Sequence, residues 1–153
     1  MKKVSRIALI ISGVLLAVDV IYVINHLQTM NILNFLGMVV LLPCVFISLI
    51  IASLIAETHF REVKQQGLIA GISGVVIAVL AYVVAGQNQN YIENIIENSK
   101  KMTESSNLSV SDISISSGVS SYVFVFIMIF ILSMGFSILF NVLRERRKVN
   151  VSK

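Results

Sequence analysis

Apolar residues in this chain neither alternate nor form a narrow stripe. They run on almost unbroken through residues 7–24, 32–56, 68–86 and 122–143. A helix rises 1.5 Å per residue and the hydrocarbon of a bilayer is about 30 Å thick, so about 20 apolar residues cross it with every backbone polar group satisfied inside the segment. Each run reaches or approaches that length. The pattern predicts an all-α fold, an integral membrane four-helix bundle forming a single domain over residues 1–153, with a long outer loop at 87–121. Pro43 has no N–H for the Val39 carbonyl and predicts a kink in the second span. Glu57 and Arg61, spaced i, i+4, extend that helix beyond the membrane before Gln66-Gly67 turns the chain.

Composition changes the picture only by closing alternatives. Hydrophobic residues make up 56% of the 153 and charged residues 13%, where a soluble domain carries about 25% charged residues. A single cysteine, Cys44, leaves no internal disulfide, CxxC pair or thiolate zinc cluster. Without His, Cys or Asp at ligand spacing, neither a metal nor a cofactor is expected. No Ser/His, His/Glu/His or paired-carboxylate set lies within the spans, so the chain reads as a non-enzyme.

Charge supplies orientation. Ten of the twelve basic residues fall on one side: Lys2, Lys3, Arg6, Arg61, Lys64, Arg144, Arg146, Arg147, Lys148 and Lys153. Only Lys100 and Lys101 fall on the other, among Glu93, Glu97, Glu104 and Asp112. The positive-inside rule then places both termini in the cytoplasm of a cell whose plasma membrane the chain crosses four times. Tyr22, Tyr82 and Tyr122 near the outer ends agree, as an interfacial belt. The net charge of +4 thus follows topology, and no basic groove interleaved with aromatics suggests nucleic acid. Residues 1–6 followed by an apolar run also suit a secretory signal; without a small-x-small site near Ala17-Val18-Asp19, the run reads as an uncleaved first span. Isoleucine far outnumbers alanine, which leans toward a bacterial source.

In lipid, helices associate where small residues let backbones approach. The third span carries Gly67, Ala70, Gly71, Gly74 and Ala78 on one face, and is expected at the centre of the bundle. Phe124, Phe126, Phe130, Phe136 and Phe140 give the fourth span a lipid-facing or oligomer-facing character, while Ser133, Ser137 and Asn141 form one row that turns inward. Ser12, Ser48, Ser73 and Ser137 lie at similar depth in the inner half.

Asp19 is the one charged side chain inside any span. An acidic residue at a helix centre costs about 2.5–3.5 kcal/mol, against about 0.3–0.6 kcal/mol returned by each Ile, Leu or Val. The first span holds enough of these to insert regardless, so Asp19 needs no function to be tolerated. Ser12, Asp19, Tyr22 and His26 nevertheless share one side of the helix. As a candidate proton or cation site, Asp19 would use Tyr22 and His26 as a relay outward, with Gly37 and Tyr82 at similar depth. The alternative is a carboxyl that only fixes helix packing, bonded to Tyr22 or Tyr82.

The outer loop opens with Tyr91, Ile92, Ile95, Ile96 and Met102 at helical spacing, predicting an outward extension of the third helix or an amphipathic helix on the membrane. Residues 103–121 are serine-rich, and short strands or a helix capped by Ser109 suit them equally.

No family is identified. A short outer turn followed by a large outer loop resembles the layout of tetraspanins, without the Cys-Cys-Gly motif of that family. A lone acidic residue, Asp19, in the first of four spans is similar to the small multidrug resistance transporters, which have no long outer loop. Two functions follow as expectations. One is a small accessory, regulatory or immunity-type membrane subunit, working through helix packing and its outer loop, with the lipid bilayer and another membrane protein or a homo-oligomer as partners. The other is a small oligomeric proton- or cation-coupled transporter or channel using Asp19.

Overall fold

The structure, a computed structural model, describes residues 2–58, 62–87, 89–104 and 119–151. Helix α1 spans Lys2–His26 and passes through a 3-10 turn, Leu27–Thr29, to the second span. That span begins with a short α2, Ile32–Asn34, continues as a π-helical segment, Phe35–Leu41, and ends as α3, Leu42–Glu57. Helices α4, Val63–Gln87, α5, Gln89–Glu104, and α6, Val119–Val151, complete the order. Among the described residues there is no strand. Four helical stretches, Val4–Thr29, Ile32–Glu57, Val63–Gln87 and Val119–Leu143, are long and apolar enough to cross a membrane. The bundle is that of a small multi-pass membrane protein.

Contacts order the helices α1, α3, α6, α4. Arg6 Nε lies 3.3 Å from Glu57 Oε1, which sets α1 antiparallel to α3. On the other flank, Gly67, Gly71 and Gly74 of α4 face Met134, Phe130 and Phe126 of α6, again antiparallel. This corrects the expectation that the third span is central. Its small face is matched to one neighbour, and the centre belongs to α3 and α6. It also corrects the outward placement of the fourth span's phenylalanines: Phe126 and Phe130 fill the glycine face of α4, and only Phe124 is strongly exposed among the five.

Large apolar side chains such as Ile10, Ile24, Leu33 and Leu68 point outward, as expected where lipid is the solvent. The interior is instead small and polar. Ser12, Ser48, Ser53, Ser133, Ser137 and Gln66 are buried, around a modest apolar cluster of Cys44, Ile51, Ile55 and Ile129. Ser48 donates to the Ile129 carbonyl at 3.3 Å and so ties α3 to α6. Ser12 satisfies itself within α1, on the Ala8 carbonyl at 2.7 Å. Ser133 and Ser137 turn inward, and Asn141 Nδ2 lies 3.5 Å from Gln66 Oε1 across α4 and α6. Ser73 is half-buried.

Two local expectations change. Helix α3 does not run on past Glu57: Thr58 is extended and its hydroxyl bonds the Ile55 carbonyl at 2.7 Å. Helix α4 already includes Gln66 and Gly67; Arg61, the proposed partner of Glu57, lies outside the described residues. The effect of Pro43 falls on the turns before it, as a widened register in which the Leu42 N–H bonds to the Gly37 carbonyl.

Candidate functional site

Ser5, Ser12 and Asp19 recur every seven residues on α1, and all three are buried. Seven residues bring a helix back to within about 20° of the same direction, so this is the face that packs against α3. Asp19 is 7% exposed between strongly exposed Val18 and Val20. Its Oδ2 is buried without a hydrogen-bond partner. Ser53, Ser133 and Ser137 hydroxyls share that condition in the interior. Buried polar atoms normally find a protein or water partner, so these atoms mark where the bundle is not satisfied by its own side chains.

Tyr22 and His26 sit one and two turns further along α1, stacked with ring centroids 4.3 Å apart. Both are exposed, and His26 Nδ1 lies 3.0 Å from the Tyr22 carbonyl oxygen. Tyr82 is elsewhere. It belongs to α4 on the far side of the bundle, where it packs edge-on against Tyr122 at 5.2 Å. Depth along the membrane normal placed Tyr82 level with Asp19; the helix order separates them. Gly37 lies in the π-helical segment, which packs on α1. Of the packing residues, Ala70 and Gly74 are buried and Gly67, Gly71 and Ala78 are half-buried.

The same end of the bundle carries a second arrangement. Helix α5 folds back over the turn joining the first two spans. Asn98 Nδ2 donates to the Gln28 carbonyl at 2.8 Å and the Met30 carbonyl at 3.2 Å. The Ser99 hydroxyl accepts from the Ile32 N–H at 2.7 Å and donates to the Ile95 carbonyl at 2.6 Å. Ile95 and Met30 are buried beneath it. The amphipathic pattern of 91–102 is thus a helix docked on protein. Its polar face, with Glu93, Asn94, Glu97 and Lys101, is exposed. Residues 105–118, where short strands or a helix were expected, lie outside the described residues, and the last three positions of the expected loop, 119–121, already belong to α6.

No protein-family model, no curated protein and no solved structure matches this chain.

Proposed function

We propose that the chain is a non-enzymatic accessory or regulatory subunit of the plasma membrane, with both termini in the cytoplasm and α5 presented outside. The docking of α5 carries this reading. A helix fixed by Asn98 and Ser99 onto the span 1–2 turn holds its polar face in one orientation, which suits recognition of another membrane protein better than a loose tether would. The distribution of basic residues supports the orientation. Co-purification in mild detergent tests it: a partner retained by the full chain and lost on deleting residues 103–118 is expected, and an unchanged set of co-purifying proteins defeats it.

A second reading, a small oligomeric proton- or cation-coupled transporter or channel, is favoured by one observation, the buried and unpartnered Asp19 Oδ2. Flux in liposomes decides it. Loss of pH-dependent flux in Asp19→Asn supports the reading, and unchanged flux removes Asp19 from any such mechanism.

A further inference from the structure

Ser133 and Ser137 of α6 are buried, and their hydroxyls have no hydrogen-bond partner among the described residues. A serine inside a helix ordinarily bonds back to the carbonyl four residues earlier. For Ser133 that carbonyl belongs to Ile129, and both its lone pairs are engaged. The helix ladder brings it the Ser133 N–H, and Ser48 brings it a hydroxyl at 3.3 Å from α3.

At about 100° per residue, both serines fall between the directions of two neighbours on α6. Ile129 packs on Cys44, Ile51 and Ile55 of α3, and Phe130 lies against Gly71 of α4. Ser133 and Ser137 therefore point into the junction of α3, α6 and α4. That junction widens along its length. A β-carbon would stand 3.0 Å from Phe126 at Gly74, 3.9 Å from Phe130 at Gly71 and 4.0 Å from Met134 at Gly67, so α4 and α6 part toward the end that holds the serines. The second and fourth spans run the same way, and four-residue steps from the Ser48–Ile129 contact bring Ala52 level with Ser133 and Ala56 level with Ser137. Both facing side chains are methyls. One turn beyond Ser137, the Asn141 carboxamide commits one N–H to buried Gln66 at 3.5 Å and has a second N–H and an oxygen besides.

We propose that this junction is a water-binding site, in which ordered water joins the Ser133 and Ser137 hydroxyls to each other and to the Asn141–Gln66 pair. Successive members of the row stand about 6 Å apart, at four residues of 1.5 Å each. That is too far for a direct bond and close to the reach of two bonds through one water. Two hydroxyls and an amide pair give a water the two to four polar partners it needs. A hard cation takes about six oxygens, and the row holds no carboxylate. The site stops at the apolar cluster of Ile51, Ile55 and Ile129, so it is closed at that end and holds α4 to the α3–α6 pair where the glycine face is loosest. It stands apart from the accessory reading, and either can fail alone.

Water-edited solid-state NMR on the full-length, isotope-labelled chain in phosphatidylcholine liposomes tests this, with each serine identified by backbone assignment. Magnetisation from water is expected to reach Ser133 and Ser137 several-fold faster than two controls. Ser12 is equally buried but bonded within its own helix, and Ile131 is exposed toward lipid. Transfer no faster than at Ser12 overturns the proposal. Exchanging choline chloride for sodium or potassium chloride is expected to change nothing; transfer that falls as the metal ion is added overturns it in favour of a cation site. In the double variant Ser133→Ala, Ser137→Ala, transfer to the Asn141 side chain is expected to drop, and unchanged transfer overturns the bridge. Should that variant fail to fold, the comparison of Ser133 and Ser137 with Ser12 in the unaltered chain decides alone.

Discussion

Gly74 of α4 and Phe126 of α6 are in such close approach that a β-carbon on Gly74 would stand 3.0 Å from Phe126 Cδ2 and 3.5 Å from the Phe126 carbonyl oxygen. The aromatic ring occupies the space that any other residue's side chain needs, and the nearby backbone limits how far it can retreat. Gly74→Ala is expected to destabilise the bundle by about 1–3 kcal/mol, the usual cost of overpacking. Gly13→Ala, with nothing within 4 Å of the added atom, is expected to be neutral. Thermal unfolding of the two variants in the same detergent gives the comparison.

Ser48 and Ser12 are both buried serines of the spans, yet their hydroxyls do different things. Ser48 crosses to α6 and Ser12 stays within its own turn. Ser48→Ala is expected to cost about 0.6 kcal/mol, the average for an interhelical hydrogen bond in a membrane. Ser12→Ala is expected to change stability less, since no second helix loses a partner. Steric-trap or denaturant unfolding in bicelles resolves the difference.

The two glycine and serine cases show what sequence carries and what it omits. Small residues at i, i+3 and i+4 reveal that α4 has a close neighbour, and the pattern held no information on how many neighbours or which. Phe126 and Phe130 looked outward because large residues usually are in lipid; here they answer the glycines opposite. The inward row Ser133–Ser137 was legible from spacing alone, as were the four spans, whose helices extend a few residues beyond the apolar runs because hydrogen bonding continues into the interface. Pro43 announced a disturbance without its form. Tyr82 was associated with Asp19 through depth, and only packing order supplies lateral position. Helix α5 was visible as a period, while its seat on the span 1–2 turn depends on Asn98 and Ser99 meeting backbone groups some seventy residues away.

Ser99 caps the start of the second span through the Ile32 N–H. Ser99→Ala strips that donor of its partner and is expected to cost about 1 kcal/mol. Hydrogen exchange should accelerate at Ile32 and through α5 together, leaving the Ser48 region protected. Faster exchange at α5 alone would show that Ser99 does not hold the two elements as a unit.

Glu97 and Lys101 form an i, i+4 pair at 2.7 Å, and the hydrogen bond and charge of Lys101 hold the Glu97 carboxyl below its ordinary value. With the folded value depressed, the pair's contribution is full above the ordinary glutamate range and lost as pH falls through the depressed one. Both side chains are well exposed, so the effect is small and salt weakens it. Helix α5 is expected to show lower protection, relative to the intrinsic exchange rate at each pH, under acidic conditions in low salt, and Lys101→Gln should remove the pH-dependent part. Exchange with the same pH response in the variant would assign the effect to another carboxyl.

The helix order α1, α3, α6, α4 also bears on how the chain is made. The first two spans are consecutive and can seat against each other as they leave the ribosome. The third cannot, because the surface that covers Gly67, Gly71 and Gly74 belongs to α6 and is synthesised only after α5 and the segment that follows it. Until the last span arrives, that glycine face waits in lipid, so chains ending before residue 119 are left with an open seam along α4.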